Sequence, residues 1–176
     1  MLRGSKVHLR PIREADLPDL YTALSDLETR GDYFPLGVPS ETRLRSQFGQ
    51  NGFWGDDEGM LLIADSSGAM VGEIEFFPIT NYLQGYEISY QLFGSGHAGR
   101  GYMTESVNLL VGYLFGRRRV NRMQLNIHPD NAASRRVAEK CGFTLEGRMR
   151  GCWFHQGRYF DLEVWSLLRE EHEGRS

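Results

Sequence analysis

The sequence predicts a mixed α/β fold built as a single domain. Segments that alternate apolar and polar residues, typical of strands, are interleaved with segments in which apolar residues recur every three or four positions, typical of helices. Two strand–helix units follow one another in the middle of the chain, which favours a mixed sheet with helices on both faces and those two strands parallel. The 176 residues suit one core. We therefore expect one domain over 1–176, with its core over about 6–170.

The first half of the chain predicts one strand, two helices and then three strands. Apolar residues at helical spacing follow the opening strand at 7–12, and Pro18 fits the first turn of that helix. Ser40 is a typical N-cap for the second helix. The three strands are a continuous apolar run at 60–64, a segment at 70–77 and a regular alternation at 86–92.

The second half predicts helix, strand, helix and a long hairpin. Apolar residues from Met103 to Phe115 mark one face of the first helix. A strand at 123–127 follows, and the next helix ends at Gly142, where a left-handed residue is favoured. The hairpin pairs 143–155 with 158–168. The predicted order is β-α-α-β-β-β-α-β-α-β-β.

Composition excludes several classes of protein. The 20 Lys+Arg and 23 Asp+Glu give a formal net charge of −3, which argues against nucleic acid as the main partner. No apolar stretch is long enough to cross a membrane, and the N-terminus lacks the apolar centre of a signal peptide, so we expect a cytoplasmic protein. Two cysteines are too few for a disulfide scaffold, and the five histidines lack metal-ligand spacing, so no metal is expected.

A glycine-rich loop joins the alternating strand at 86–92 to the long helix. Its sequence over 93–105 is FGSGHAGRGYMTE. Glycines let the main chain approach a ligand closely, and a helix N-terminus attracts phosphate. The loop therefore predicts a pyrophosphate site with Arg100 beside it, although a flexible connector would have a similar composition. It lacks the spacing of a nucleotide-hydrolysing loop and the βαβ context of a dinucleotide site.

A second segment completes a recognisable pattern. It is a predicted helix that begins with Asn131 and Ser134 and ends at Glu139–Phe143. With the glycine-rich loop it resembles the GCN5-related N-acetyltransferase (GNAT) superfamily, and within it the RimJ/RimL-like branch of ribosomal-protein N-terminal acetyltransferases. The resemblance extends over nearly the whole chain. It is carried by His8–Pro11, Tyr86–Tyr90, Gly99–Glu105, Asn131–Phe143, Gly157–Tyr159 and Leu167–Glu170.

The resemblance implies a central, mostly antiparallel sheet that splays at the cofactor site. It also implies acetyl-CoA as acetyl donor, an amine as acceptor and no metal. Main-chain groups of Leu92 and Phe93 would pair with the pantetheine arm, as an added strand would. The family's generic phosphate pattern is met imperfectly, with Ala98 at its first position and Met103 at its last. The other residues expected to hold the cofactor are Gly99, Arg100, Gly101, Tyr102, Met103, Thr104, Asn131 and Ser134.

The expected reaction needs a base, an oxyanion donor and a donor for the leaving group. An ammonium acceptor must lose a proton before it attacks, directly or through water, and Glu87, opposite Tyr86 and Ile88 on its strand, is the candidate base. A main-chain amide of that strand would stabilise the oxyanion. Many relatives have a tyrosine where this chain has Ala138, so Ser134 is the candidate donor to the leaving thiolate. Glu87 as an ordinary strand residue and Ser134 as an ordinary helix residue remain alternatives.

Other reactive side chains favour structural interpretations. Glu73 and Glu75 are expected on an exposed strand face, with a role in amine binding as the alternative. Glu105 is expected to complement the helix dipole and cap free amides, and Cys141 to be a buried structural cysteine. The arginines at 117–119 are expected to be a solvated helix end.

Four aromatic residues, with an acidic turn at 56–58, are expected in or near loops beside the acceptor. Such a rim suits a cationic acceptor, but a partly buried loop explains it equally well. The aromatic residues are Tyr33, Phe34, Trp54 and Trp153.

Three functions follow from these observations. The first is acetyl transfer to a protein N-terminal amine. The second is acetylation of a small-molecule amine, such as a polyamine, an aminoglycoside or another antibiotic. The third is a catalytically silent acyl-CoA-binding module. We expect a monomer or a homodimer.

Overall fold

A central sheet with helices on both faces organises the chain. The computed structural model describes residues 1–28, 30–35, 37–80 and 83–175. Leu36, in the segment from Gly31 to Pro39 that is expected to be a loop, lies outside the described residues. The strands are β1 Leu2–Arg3, β2 Val7–Pro11, β3 Gly59–Asp65, β4 Met70–Thr80, β5 Leu83–Leu92, β6 Arg122–Ile127, β7 Thr144–His155 and β8 Arg158–Leu168. The helices are α1 Leu17–Ser25, α2 Glu41–Asn51, α3 Tyr102–Arg117, α4 Ala132–Cys141 and α5 Arg169–Glu173.

Within the described residues, eight strands form one sheet in the order β1-β2-β3-β4-β5-β6-β8-β7. Every neighbouring pair is antiparallel except β5 and β6, which are parallel and joined through α3. A parallel pair needs a crossover of this kind, whereas antiparallel neighbours can be joined by short turns. The expected mixed, mostly antiparallel sheet is confirmed.

Two apolar clusters, one on each face of the sheet, hold the helices in place. The larger contains the inward face of α3, including Val107 and Leu110, together with residues of α4. The smaller lies beneath α1 and includes Leu20. Strand β3 contributes Leu61 to the first cluster and Leu62 to the second, because successive side chains point to opposite faces. Burying such a leucine contributes about 1.5–3 kcal/mol, so both faces stabilise the sheet.

Helix ends lie where their capping residues predict. The Ser40 hydroxyl accepts a hydrogen bond from the Arg43 amide at 3.4 Å at the start of α2. Asn131 Oδ1 accepts from the Ser134 amide at 3.0 Å at the start of α4. Gly142 follows α4 with φ of +83°, a conformation that residues with a Cβ adopt only at a cost.

The N-terminal segment adds an element that the periodicity misses, because β1 has only two residues. Glu105 fastens this segment to α3. Its carboxylate accepts hydrogen bonds from the amides of Ser5, Lys6 and Val7, each at 2.8 Å. The structural role expected for Glu105 is therefore correct, but the amides it binds belong to the N-terminal segment rather than to its own helix.

Candidate active site

The parallel strands β5 and β6 separate and open a cleft. Their paired residues are Tyr86 with Met123 and Glu87 with Gln124. Strand β5 continues to Leu92 and β6 to Ile127 with no further pairing between them. The gap is part of a cavity of about 800 Å³ that is also lined by the glycine-rich loop and by residues 30–35.

Main-chain groups of β5 face this gap at alternate residues. The Phe93 amide donates to the Val71 oxygen of β4 at 2.9 Å. Since successive residues of a strand direct their N–H and C=O groups to opposite edges, Leu92 and Tyr90 face the separated side. Leu92 also lines the cavity, as expected. Phe93 does not line the cavity, because its side chain packs in the smaller apolar cluster. Its amide already donates to Val71, so this amide does not suit the expected pairing with a pantetheine arm.

The glycine-rich loop lines the cavity where α3 begins. Gly99 has φ of +74° and Gly101 has φ of +80°, and Gly101 is the N-cap of α3. The first helical bond runs from the Glu105 amide to the Gly101 oxygen. The amides of residues 102–104 therefore lie outside the helical ladder and have no side-chain cap. Free amides at a helix N-terminus form an anion site.

Among the described residues, four cationic side chains besides Arg30 line the same cavity: Lys6, Arg100, Arg136 and Lys140. Lys6 Nζ donates to the Arg100 oxygen at 3.1 Å, which holds the N-terminal segment against the loop. Arg100 is the only one of the four expected from the sequence. Lys6 is distant along the chain, and only the fold brings it here.

The first turn of α4 lines the cavity through Asn131 and Ser134, as expected. Tyr90 of β5 lies beside Ser134 and is a cavity residue that the sequence analysis did not single out. Burial raises the pKa of the Tyr90 phenol, and the Ser134 side chain opposes the rise. No atom of the described residues meets that hydroxyl with full hydrogen-bond geometry. Ala138 is fully buried, so the tyrosine common in relatives is replaced here by an apolar contact.

Glu87 lines the cavity near the point where the strands separate. Asn126 of β6 donates from Nδ2 to Glu87 Oε2 at 2.7 Å. Burial raises the pKa of Glu87, the Asn126 hydrogen bond lowers it, and the charge of Glu75 adds to the rise. The net effect moves this pKa above the ordinary carboxyl value. Asn126 was not identified from sequence; its only signal is the alternation with Leu125 and Ile127.

Aromatic rings form a wall of the cavity. Tyr33, Phe34, His128 and Trp153 line the cavity. The rings of Tyr33 and His128 are stacked with centroids 4.9 Å apart. Three of the four aromatic residues expected at the acceptor side are therefore brought together, and His128 joins them.

Trp54 and its acidic turn lie elsewhere. The Trp54 ring contacts Phe76 of the larger apolar cluster, with centroids 5.5 Å apart. The Tyr86 hydroxyl donates to Asp57 Oδ1 at 3.3 Å. Neither Trp54 nor residues 56–58 line the cavity, so for this part of the predicted rim the structural interpretation applies.

The expectation of an exposed face for Glu73 and Glu75 is wrong. Glu73 is 1% exposed, and its Oε1 accepts from Gln91 Nε2 at 3.1 Å. Burial raises the pKa of Glu73 well above its ordinary value and also raises that of Glu75. Alternation along β4 correctly separated the two faces, but α1 and its neighbouring segments cover the second face too.

Cys141 is a structural residue, as expected. Its side chain is buried, and burial raises the pKa of the thiol to about 12. Its Sγ lies 3.5 Å from the Thr104 oxygen of α3. A thiol held protonated at neutral pH is a poor nucleophile, so Cys141 joins α4 to α3 rather than reacting.

A membrane-spanning helix and a cluster of metal ligands are both absent from the described residues. No helix among them is long and apolar enough to cross a membrane. No three His, Cys, Asp or Glu side chains in these ranges are grouped as metal ligands would be.

Comparisons with known proteins agree with this geometry. A model of the acetyltransferase (GNAT) domain matches residues 6–144, which is more than half of the chain. The probable N-acetyltransferase YjcK of Bacillus subtilis is 27% identical over 184 residues, covering 98% of this chain and 99% of that protein. The spermidine N(1)-acetyltransferase of Vibrio cholerae is 22% identical over 173 residues, covering 98% and 99% of the two chains.

A solved structure extends the likeness to three dimensions. RimL, described as a ribosomal L7/L12 alpha-N-protein acetyltransferase in complex with coenzyme A, superposes with a TM-score of 0.76 at 26% identity. The match covers 94% of this chain and 95% of that one. The sheet, the splayed strands and the family match agree, and the chain belongs to the GNAT family of acetyltransferases.

Proposed function

We propose that this protein transfers the acetyl group of acetyl-CoA to a primary amine. One observation carries the proposal. A single cavity joins the unpaired edge of β5, the free amides at the start of α3 and the half-buried carboxylate of Glu87. A cofactor arm, a pyrophosphate and a base would each find a suitable group there.

The residues of the glycine-rich loop and of the first turn of α3 suit coenzyme A. Amides at 102–104 would hold the pyrophosphate, with Gly99 and Gly101 allowing its close approach. Cationic side chains of the cavity such as Arg100 and Lys140 would offset the negative charge of the phosphates. Leu92 would pair with the pantetheine arm through its main chain. When bound, acetyl-CoA supplies an activated acetyl thioester.

Glu87 would remove the proton from the acceptor ammonium. A base works best when its pKa approaches the working pH, and the environment of Glu87 moves its pKa in that direction. Asn126 holds one carboxylate oxygen, which leaves the other for the acceptor or a bridging water. Ser134, in the first turn of α4, would donate a hydrogen bond to the leaving thiolate.

The aromatic wall would receive the acceptor. Aromatic faces attract an ammonium group by about 0.5–2 kcal/mol, and Glu87 adds a negative charge nearby. A protein N-terminal amine is the first candidate acceptor, in keeping with the RimL-like branch. A polyamine is the second, because the Vibrio cholerae relative is named for spermidine and matches along almost the whole chain. With both cysteines free, we place the activity in the cytoplasm.

A thiol-release assay tests this function. Acetyl-CoA would be offered with N-terminal peptides, polyamines and aminoglycosides, and release of free CoA would be followed. We expect Glu87→Gln to lower kcat about 100- to 10,000-fold while the Kd for CoA stays unchanged. Glu139→Gln, at an exposed position of α4 outside the cavity, is the matched control.

The outcomes separate the alternatives. Turnover on peptides alone supports the first acceptor, and turnover on polyamines alone supports the second. Tight CoA binding without turnover on any amine would identify a silent acyl-CoA-binding module. Unchanged kcat in Glu87→Gln would remove Glu87 from the mechanism.

A further inference from the structure

We infer that Arg122 is a positioning residue that sets the state of Glu87 from the far end of β6. Arg122, Gln124 and Asn126 alternate along the strand and therefore share one face of the sheet. They form a continuous series of hydrogen bonds that ends on the Glu87 carboxylate. The inference rests on the proposed role of Glu87 as the base, but it adds Arg122 and Gln124, neither of which lines the cavity.

The series consists of three short contacts. Arg122 donates from its guanidinium to Gln124 Oε1 at 3.0 Å. Gln124 donates from Nε2 to Asn126 Oδ1 at 3.2 Å. Asn126 donates from Nδ2 to Glu87 Oε2 at 2.7 Å. Gln124 is buried and does not line the cavity, whereas Asn126 and Glu87 do, so the series leads from the first residue of β6 into the site.

The chemistry of arginine gives the series its direction. A guanidinium has only donors, so Gln124 must turn its oxygen towards Arg122. The nitrogen of Gln124 then faces Asn126 and requires an oxygen there. Asn126 is left with its amide nitrogen towards Glu87. Arg122, which is separated from Glu87 by two side chains of the series, thus decides that Glu87 meets a donor, which favours the ionised carboxylate.

A salt bridge anchors the outer end. Glu146 of β7 accepts from Arg122 through both of its oxygens, at 2.6 and 2.7 Å. Ser166 of β8 donates to Glu146 at 2.6 Å. Arg122 and Ser166 lower the pKa of Glu146 to about 2, so the anchor stays charged throughout the neutral range. Two-point binding of a carboxylate also fixes the plane of the guanidinium.

Among the described residues, the other groups near Glu87 do not supply this stabilisation. Glu75 of β4 opposes its ionisation. The loop at 30–35 contributes Arg30 and Asp32 to the cavity wall, and His128 extends the wall from the end of β6. The Arg30 guanidinium is occupied by main-chain oxygens, including those of residues 35 and 37. The Asn126 amide is thus the hydrogen bond that favours the charged form of Glu87.

Four variants test the inference. Arg122→Met removes the directing donor. Gln124→Met breaks the series while the Arg122–Glu146 salt bridge remains, so it carries the test even if Arg122→Met fails to fold. Arg122→Lys keeps a group with donors only and should rescue the wild-type behaviour. Arg45→Met breaks an exposed ion pair with Glu41 on α2 and is the matched control.

The first measurement is the pKa of the Glu87 carboxyl in the ligand-free protein, by carbon NMR, with its signal assigned from Glu87→Gln. We expect Arg122→Met and Gln124→Met to raise this pKa by about 1 unit, as expected when a donor to a carboxylate is lost. Arg122→Lys and Arg45→Met should leave it near the wild-type value. An unchanged pKa in a folded Gln124→Met protein would overturn the inference.

The second measurement is the pH profile of kcat/KM for acetyl transfer. In Arg122→Met and Gln124→Met, the acid limb of this profile should move to higher pH by as much as the pKa of Glu87 rises. This lowers kcat/KM up to tenfold on the acid side and leaves the plateau unchanged. A merely structural role would lower the melting temperature without moving this limb. If the NMR pKa moves but the limb does not, the positioning inference stands and the proposed role of Glu87 as base fails.

Discussion

Replacing Gly101 by alanine should introduce a strain of calculable size into the turn before α3. Gly101 has φ of +80° and caps α3. The left-handed conformation costs a residue with a Cβ about 1–2 kcal/mol. The added Cβ would lie 2.8 Å from Lys6 Nζ, the end of a flexible side chain that can move aside. Backbone strain therefore determines the magnitude.

This strain can lower either the unfolding free energy or the affinity for CoA. If the turn keeps its geometry, the protein loses about 1–2 kcal/mol of unfolding free energy and its affinity for CoA is unchanged. If the turn relaxes, stability is retained and the Kd for CoA rises about 5- to 30-fold, because binding must restore the original conformation. We expect the two effects together to account for the full strain.

Urea unfolding and calorimetric titration with CoA measure the two effects separately. Gly96→Ala is the matched control, because Gly96 lies in the same loop, has no positive φ and has no atom within 4 Å of an added Cβ. It should change neither quantity. Wild-type stability together with wild-type affinity in Gly101→Ala would refute the reasoning.

Two other predictions concern stability and reactivity. Glu105→Gln should lower the unfolding free energy by about 1–3 kcal/mol at neutral pH, because a charged acceptor of three amides is lost. The folded state lowers the pKa of Glu105, so the extra stability of the wild type is present above the ordinary carboxyl pKa and disappears as the pH falls through the pKa of the folded state. A loss of unfolding free energy that does not depend on pH would contradict this, as measured by urea unfolding. With the Cys141 thiol at a pKa of about 12 and Cys152 exposed, one thiol per chain should react rapidly with a disulfide reagent at neutral pH, and Cys152→Ser should abolish that fast phase; two fast thiols would show that Cys141 is accessible.

The predicted elements succeed where the pattern is local. The alternation at 86–92 predicted β5, and the apolar face from Met103 to Phe115 predicted α3. Ser40 and Gly142 marked helix ends because capping depends on a few neighbouring residues. Residues of the glycine-rich loop could be assigned to one site for the same reason: they are consecutive along the chain.

The errors and omissions arise where distant segments meet. Glu73 alternates as an exposed residue would, yet the packing of both faces of the sheet buries it. Trp54 and Trp153 are equivalent in sequence terms, and only the fold places one against the larger apolar cluster and the other in the cavity. Asn126 is an ordinary polar strand residue until the register brings it beside Glu87.

Because β5 and β6 separate, the donor and the acceptor would be recognised by different kinds of group. The donor would be recognised by main-chain groups of Leu92 and of the turn before α3, which most side-chain substitutions leave in place. The acceptor would be recognised by side chains such as Tyr33 and Trp153. Exchanging those side chains should therefore redirect the enzyme towards other amines while its affinity for CoA is preserved. Acceptor specificity could then be redesigned in this fold independently of donor binding.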